Sequence, residues 1–472
     1  MKKMPRHRSV FYFSILLAFA LIFCCSTVGY ANYGLDPDFG KNGKTTTDFN
    51  LSNECVMSMA IDSQNRLVVA GYTYKGEKSE LSVACLACYK SDGTLDTSFG
   101  TNGTIINDFG VSNFCAYSLA IDSQNRLMVA GYSYEGENYD STLACLKCYK
   151  SDGTLDTSFG TNGTIINAFG VANSSAYSVV IDSEGRIVVA GMANKAFALA
   201  RYTSNGAPDT SFNGTGRVTT SFKSSKGDYG YSVAIDSEGR IVVAGESDYN
   251  EDNYIFALAR YTNEGTLDMS FNETGMVTTD FGSGYSSINE VLIDSMDRIM
   301  VVGRSQNKGY DNFALARYTN EGKLDKSFGK NNNGMVTTGF GLGNDAGNFL
   351  AMDVQGRLLV AGRSFQGDVK KDDFALARYS TDGILDTTFG KNGTMTTDFG
   401  SGYDSANSLK IDSTGRLILA GYCYNGTDYD LALAGYKGVT GTSTGGGCNI
   451  PSMSYLGFLL AIPFMLFSKK RK

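Results

Sequence analysis

Histidine and tryptophan are nearly absent from this chain of 472 residues, which contains one His and no Trp. The single His is His7, close to the N-terminus. A Ser-His-Asp or Cys-His catalytic group therefore cannot form in the rest of the chain. Zinc, copper and haem sites with His ligands are excluded for the same reason. Acid–base chemistry would depend on carboxylates, Lys or Tyr. Nothing singles out a catalytic residue, and the sequence indicates neither a metal site nor a cofactor.

Proline is also scarce, with 5 Pro against 56 Gly. The turns must therefore use the positive backbone φ angles that Gly adopts at low cost, rather than the fixed φ of Pro. Long apolar segments with helical periodicity are missing from the repeated part of the chain. Short runs rich in Val, Ile and Thr instead end at Gly, Asn or Asp, which is typical of strands and turns. The composition indicates an all-β protein.

One phrase, close to Ile-Asp-Ser-x-x-Arg followed by an apolar run and Gly, occurs seven times. Successive copies of its Arg are 54 to 60 residues apart. A period of this length marks an array of one supersecondary unit. Each unit reads as four short strands, as in residues 230–281. The seven arginines are Arg66, Arg126, Arg186, Arg240, Arg298, Arg357 and Arg416.

The two ends of the array predict how it is closed. It opens with a fourth-strand sequence alone, Lys44–Phe49, and it finishes with a third-strand sequence, Leu431–Lys437, that no fourth strand follows. Strands of the four kinds are therefore balanced at seven each, which a ring explains because the first strand completes the last unit and leaves no free edge. We predict a seven-bladed β-propeller of four-stranded blades over residues 32–438. The alternative is an open β-solenoid.

The repeated phrases Leu-Asp-x-Ser-Phe, Ile-Asp-Ser-x-Gly-Arg and Phe-Ala-Leu-Ala-Arg-Tyr occur in a constant order between about Leu35 and Lys437. In this the chain resembles the bacterial delta-60 repeat. The resemblance implies a propeller-like protein that is secreted or held at the cell surface, and it brings no catalytic residues. The Arg of Ala-Leu-Ala-Arg-Tyr is replaced by Cys88, Cys148 and Gly435 in the first, second and last units.

Residues 1–31 have the layout of a secretory signal peptide. Basic residues precede an apolar run, Val10–Phe23, and the small residues Gly29 and Ala31 predict cleavage after Ala31. A lipoprotein modified at Cys24 or Cys25 is a weaker alternative. A small residue normally precedes such a cysteine, whereas Phe23 precedes Cys24. The protein is therefore expected to be exported.

The C-terminus divides into a Gly/Thr/Ser linker, residues 439–447, and a tail, residues 448–472. The tail begins with Cys448, continues with an apolar segment and ends in a basic cluster. It resembles bacterial sorting tails that a processing protease recognises, which implies that Cys448 lies at or near the point of processing or attachment. The alternative is a permanent single-span membrane anchor, although two prolines interrupt the apolar segment. Both readings place the protein in the cell envelope or at the cell surface, either anchored in the membrane or released after processing of the tail.

Acidic residues outnumber basic ones, and the formal net charge is −7. The predicted signal peptide and the tail each carry four basic residues and no acidic one, so the part between them is near −15. Nucleic-acid binding needs clustered cations that neutralise phosphates. We therefore expect no nucleic-acid partner.

Every predicted first strand ends in an Asp that precedes the tight turn before the repeated Arg. We expect these residues to be structural, because such an Asp can bond the backbone two residues further on and pair with the Arg across the turn. The Asp spacing in the Leu-Asp phrase does not match a calcium-binding loop. The seven residues are Asp62, Asp122, Asp182, Asp236, Asp294, Asp353 and Asp412.

Seven cysteines lie inside the predicted propeller, so at least one is unpaired within the chain. Two interpretations are open. Bridges could join Cys55 to Cys85 and Cys115 to Cys145 within one blade, or the cysteines could be small buried residues in slots that hold Ala or Ser elsewhere. A metal cluster is less favoured. The other three are Cys88, Cys148 and Cys423.

The connections from the second to the third strand vary most between repeats, and they contain many Tyr, Asp, Asn and Gly residues. Variable loops on a rigid scaffold are the usual place for binding, and exposed Tyr can contact sugars or proteins. We predict a non-catalytic module that binds a glycan or a protein. The alternatives are a carboxylate- or Tyr-dependent polysaccharide hydrolase or lyase, and a passive envelope component. The candidate ligand-binding residues are Tyr74, Tyr134, Tyr139, Tyr249, Tyr310, Tyr424 and Tyr429.

Overall fold

The computed structural model describes residues 34–75, 81–106, 113–135, 141–222, 226–250, 253–282, 284–307, 309–341, 343–367, 371–400 and 402–438. All of them belong to one compact unit, Met1–Val439, and a second unit covers Thr440–Lys472. The predicted signal peptide with Ala31, the linker and the tail with Cys448 lie outside the described residues. No helix among the described residues is long and apolar enough to cross a membrane.

The described chain forms 28 strands in seven four-stranded antiparallel sheets that follow one another around a ring. The predicted seven-bladed β-propeller is therefore confirmed, and the alternative of an open β-solenoid is wrong. Blade 1 contains β2 (Ser52–Ile61), β3 (Leu67–Lys75), β4 (Leu81–Tyr89) and β5 (Thr104–Ile106); blade 2 contains β6 (Phe114–Ile121), β7 (Leu127–Glu135), β8 (Ser141–Tyr149) and β9 (Thr164–Ile166); blade 3 contains β10 (Ser174–Ile181), β11 (Ile187–Ala193), β12 (Ala196–Tyr202) and β13 (Arg217–Thr220); blade 4 contains β14 (Asp228–Ile235), β15 (Ile241–Asn250), β16 (Asn253–Tyr261) and β17 (Met276–Thr279); blade 5 contains β18 (Ser286–Ile293), β19 (Ile299–Asn307), β20 (Tyr310–Tyr318) and β21 (Met335–Thr338); blade 6 contains β22 (Ala346–Met352), β23 (Leu358–Phe365), β24 (Asp372–Tyr379) and β25 (Thr394–Thr397); and blade 7 contains β26 (Ser405–Ile411), β27 (Leu417–Tyr424), β28 (Tyr429–Tyr436) and β1 (Lys44–Thr47).

The ring is closed by the N-terminal strand, as the strand count predicts. β1 pairs antiparallel with β28, in a register that runs from Lys44 opposite Ala434 to Thr47 opposite Leu431. An isolated bridge between Leu35 and Tyr436 extends this contact. The last blade therefore combines both ends of the propeller, and the outer edge of β28 is covered.

The turn that follows each first strand is held by its Asp and Arg, which confirms the structural interpretation. In blade 4, Asp236 Oδ1 accepts hydrogen bonds from the backbone N–H groups of Glu238 and Arg240 at 3.0 and 2.9 Å. Its Oδ2 accepts a third from Arg240 Nε at 2.6 Å. The carboxylate thus replaces the turn's missing backbone partners. Equivalent contacts between this Asp and this Arg occur in all seven blades.

A second, buried Arg lies on the third strand of blades 3 to 6, and in blades 3 to 5 it connects each blade to the next. Arg260 is 1% exposed, and its Nε pairs with Asp268 Oδ2 at 2.8 Å. Its guanidinium lies 4.7 Å from the ring centre of buried Phe271, and its Nη1 donates to the carbonyl of Asn320 in blade 5. A buried charge is tolerated only when it is paired and hydrogen-bonded, as here.

In blades 1 and 2 the third-strand Arg is replaced by Cys88 and Cys148, and the turn Arg takes over its carboxylate partner. Arg66 Nη1 reaches Asp96 Oδ2 at 3.1 Å, and Arg126 makes the equivalent pair at 3.4 Å. Asp96 and Asp156, which occupy the position of the partner of the missing Arg, are therefore still paired with a guanidinium.

All seven cysteines among the described residues are free thiols, so the proposed Cys55–Cys85 and Cys115–Cys145 bridges are wrong. Cys55 lies on β2 and Cys85 on β4, and β3 runs between them. Strands two positions apart are separated by roughly 10 Å, well beyond the distance that a disulfide spans. The interpretation as small buried residues is confirmed for Cys85, Cys88, Cys115, Cys145, Cys148 and Cys423.

Candidate functional site

The first strand of every blade carries a β-bulge at the same position. In blade 4 the register with β15 shifts between Gly230 and Ser232, which leaves Tyr231 without a partner. A bulge re-aims the side chain of its extra residue, and here all seven bulged residues line a cavity of about 540 Å³ at the centre of the ring. They are Met57, Tyr117, Tyr177, Tyr231, Asn289, Asn348 and Asn407.

The wall on the side of blades 5 to 7 carries three amides. Asn289 Nδ2 donates to the carbonyl of Gly347 in the next blade at 2.9 Å, and Asn348 Nδ2 donates to that of Ala406 at 3.0 Å. Asn407 Nδ2 donates to the carbonyl of Val56 at 2.8 Å, across the junction between the last and the first blade. These bonds fix the three amides in the wall of the cavity.

The wall on the side of blades 2 to 4 is aromatic. The ring of Tyr117 stacks on that of Tyr132, with centroids 5.3 Å apart, and meets Tyr177 edge-on at 5.5 Å. Tyr177 contacts Tyr231 at 5.3 Å. All four rings are only partly buried and line the cavity. Burial raises the pKa of each of these phenols, so they are protonated hydrogen-bond donors over the physiological pH range.

A buried carboxylate, Glu246, organises the aromatic side near the variable loops. Its two oxygens accept hydrogen bonds from the hydroxyls of Tyr231 and Tyr285 at 3.0 and 2.9 Å. Arg304 lies 4.8 Å from the ring centre of Tyr285 and donates to its hydroxyl. The network gives these side chains fixed orientations, which lowers the entropy lost on binding.

Glu290 and Lys410 introduce charge into the cavity wall. In the other blades the residue at the position of Glu290 is Ser or Phe. Where it is Ser, its hydroxyl accepts a hydrogen bond from a backbone N–H of a neighbouring blade, as Ser232 does from Val291. Glu290 Oε2 accepts a hydrogen bond from Ser232 at 2.9 Å, and the Lys410 ammonium lies 4.7 Å from the ring centre of Phe349.

Enclosure in the channel raises the pKa of Glu290 to about 7, while the charge of Lys410 and the bond from Ser232 oppose this shift. Desolvation lowers the pKa of Lys410, and the charge of Glu290 opposes that. Among the described residues that line the cavity, Glu290 is the only carboxylate. Glycosidases usually need two carboxyl groups that flank the bond. The cavity therefore lacks that pair, whereas its rings and amides are groups that bind ligands.

Four of the tyrosines predicted from the loops make ring contacts with other tyrosines. Tyr74 meets Tyr72 edge-on at 5.8 Å, and Tyr134 meets the cavity residue Tyr132 in the same way at 5.5 Å. Tyr424 and Tyr429 pack together at 5.4 Å in blade 7.

The remaining candidates add no ring contact among the described residues. Tyr310 is 57% exposed and makes no ring contact among the described residues. Tyr139 lies outside the described residues, as does the side chain of Tyr249 on β15. The inner residues Tyr117, Tyr177 and Tyr231 are absent from the prediction, although the change from Tyr to Asn at one position of an otherwise uniform strand is visible in the sequence.

Six segments of the chain match the model of a family described as "Domain of unknown function (DUF5122) beta-propeller": residues 64–99, 125–159, 183–212, 237–271, 297–328 and 356–389. The chain carries the repeats of a β-propeller family. Each match begins at the Asp–Arg turn and ends near the Phe of Leu-Asp-x-Ser-Phe, so it covers the shared scaffold and leaves out the cavity residues of the first strand. None of the curated proteins matches the chain significantly.

Among solved structures, this propeller is similar to a protein of unknown function from Dyadobacter fermentans, with 10% identity, a TM-score of 0.50 and coverage of 85% of this chain and 100% of that one. It is also similar to a catalytically inactive virginiamycin B lyase from Staphylococcus aureus, with 11% identity, a TM-score of 0.48 and coverage of 83% and 98%. A third similar structure is Sqt1 from Chaetomium thermophilum, with 10% identity, a TM-score of 0.47 and coverage of 82% of this chain and 98% of that one. At such identities the likeness concerns the fold alone.

The raised pKa of Glu290 predicts a pH-dependent contribution to stability. Between its ordinary pKa of 4.5 and the folded value of about 7, the folded protein keeps a proton that the unfolded chain releases, so stability falls as pH rises through this window. Between pH 4.5 and 7.5 we expect the free energy of unfolding to fall by up to about 3 kcal/mol less in Glu290→Gln than in the wild type. Urea unfolding at several pH values measures this. The exposed-carboxylate variant Glu238→Gln should keep the wild-type slope, and an equal slope in Glu290→Gln would contradict the assignment.

Proposed function

We propose that this chain is an exported propeller of the delta-60 type that binds a glycan, without catalysis, at the variable-loop end of its central channel. The observation that carries the proposal is the division of the cavity wall into tyrosine rings on one side and hydrogen-bonded asparagines on the other. Both kinds of group are presented by the rigid inner strands, and Tyr134, one of the tyrosines predicted from the loops, packs against the cavity residue Tyr132.

A sugar suits this wall for two physical reasons. The apolar face of a pyranose packs against a tyrosine ring, and its hydroxyls exchange hydrogen bonds with amide and phenol groups. The cavity of about 540 Å³ is also within the range of small-molecule sites. An acidic net charge and a single Lys in the wall favour a neutral glycan over a polyanion.

The binding proposal predicts that loss of two cavity rings weakens glycan binding. On a glycan array, the full chain should bind a set of neutral oligosaccharides saturably. In Tyr117→Ala/Tyr177→Ala the affinity should fall at least about tenfold, because each stacked ring contributes on the order of 1 kcal/mol. The matched control is Tyr310→Ala, which removes an exposed ring outside this wall. Thermal unfolding of each variant shows that it is folded.

Three outcomes would count against this function. Unchanged binding by the double variant would place the ligand elsewhere. Binding to peptides and to no glycan would favour a protein partner. Shortened oligosaccharide products in a mass spectrum, formed by the wild type and absent with Glu290→Gln, would favour the hydrolase or lyase alternative.

The export part of the proposal concerns the two termini. Residues 1–31 direct export, and the tail after Cys448 contacts the membrane until a sorting protease processes it. We expect intact-mass measurement of the protein from cells to give an N-terminus at Asn32 and a chain that ends near Cys448. A Cys448→Ala variant should keep its tail, whereas Cys423→Ala should be processed normally. A wild-type mass that includes residues 449–472 would instead support a permanent anchor.

A further inference from the structure

Three carboxylates meet where the ring closes. Asp48 follows β1, Glu54 lies on β2 and Asp430 lies on β28, so they come from the N-terminal strand, the first blade and the last blade. One oxygen from each lies within 4.8 Å of the others. Like charges this close repel one another unless one carboxyl group keeps its proton or a cation lies between them.

Glu54 is the unusual member of this group. It is 1% exposed, and neither of its carboxylate oxygens accepts a hydrogen bond among the described residues. Asp48 and Asp430 each accept one hydrogen bond, from the backbone N–H of Asn50 and from Asn425 Nδ2. The described residues also include no Lys or Arg paired with any of the three. A buried carboxylate without partners is costly, which indicates that a ligand completes this site.

The preceding junction offers an internal comparison. There Asp373, Asp398 and Asp404 occupy the same places as Asp430, Asp48 and Glu54, and their oxygens are equally close. That junction contains its own cation, because Lys371 Nζ pairs with Asp398 Oδ2 at 2.7 Å. The Asp404 carboxylate also accepts hydrogen bonds from the backbone N–H groups of Phe399 and Tyr424.

The closing junction lacks both of these features. The place of Lys371 is taken by Asp428, immediately before β28. Glu54, with its longer side chain, makes no bond equivalent to those of Asp404. The protein cation of one junction is thus replaced at the other by an additional acid.

We propose that Asp48, Glu54 and Asp430 bind a calcium ion that links the N-terminal strand to the first and last blades. Three carboxylates with several free oxygens form a hard, all-oxygen donor set, and Ca²⁺ accepts irregular geometry in which water completes the coordination. Mg²⁺ demands a stricter octahedron. The site strengthens ring closure, and none of its three carboxylates is among the residues that line the central cavity.

Calorimetric titration of the full chain with CaCl₂ tests the site. We expect one Ca²⁺ per chain with half-saturation between about 0.1 and 1 mM, the range of extracellular calcium modules. Glu54→Gln should bind at least about tenfold more weakly. Glu238→Gln, which removes the same charge from an exposed turn, should bind like the wild type. No binding up to about 10 mM, equal binding by Glu54→Gln, or a preference for Mg²⁺ would overturn the proposal.

Hydrogen exchange and thermal unfolding provide a second readout. Ca²⁺ should slow amide exchange in β1 relative to EDTA in the wild type, and it should have no such effect in Glu54→Gln. In EDTA the variant should unfold at or above the wild-type temperature, because it has lost an unpaired buried charge. If Glu54→Gln does not fold, Asp430→Asn takes its place in both measurements. Exchange in β1 that Ca²⁺ does not slow in the wild type would contradict a role in closure.

Discussion

The pairing of β1 with β28 is the contact on which the rest of this structure depends. A ring of blades has a channel only if its last blade meets its first, and here the two ends of the propeller share one sheet. Contacts in the channel cross the same junction, since Asn407 bonds the carbonyl of Val56 and the backbone N–H of Met59 bonds Ser408. Without closure the amide side of the cavity would lose its connection to blade 1.

Scaffold and site are separated within each repeat. The Asp–Arg turn is held in the same way in all seven blades, and the buried third-strand Arg connects blades 3 to 5 to the blades that follow them, so these residues carry structure. The bulged residue of the first strand faces the channel, and in blades 5 to 7 its amide also bonds the next blade. Its identity can change from Tyr to Asn between blades while the backbone around it stays the same.

Much of the fold can be predicted from the sequence because the same strand pattern occurs seven times. The balanced strand count then favours a ring that is closed by the N-terminal strand. The structural role of the Asp–Arg turns is predictable for the same reason, since both residues lie on one tight turn. The candidate site is harder to predict from the sequence. Tyr231 and Asn289 belong to a phrase that reads as scaffold, and only the bulge shows that they face the channel.

Two further features require the three-dimensional structure. The Cys55–Cys85 bridge fails because strand order places β3 between the two thiols, which spacing alone does not reveal. Glu54 and Asp430 are 376 positions apart in the chain and meet only through ring closure. Contacts across the closing junction combine residues from different repeats, so no single repeat contains them.

The most direct test of this account is to delete residues 34–47, which removes β1, and to follow unfolding and hydrogen exchange. If closure supports the whole ring, the deletion should lower the unfolding temperature by at least about 5 °C and speed amide exchange in β26 to β28 and in β2. A deletion variant that unfolds at the wild-type temperature, with blade 7 equally protected, would contradict the central role given to this strand.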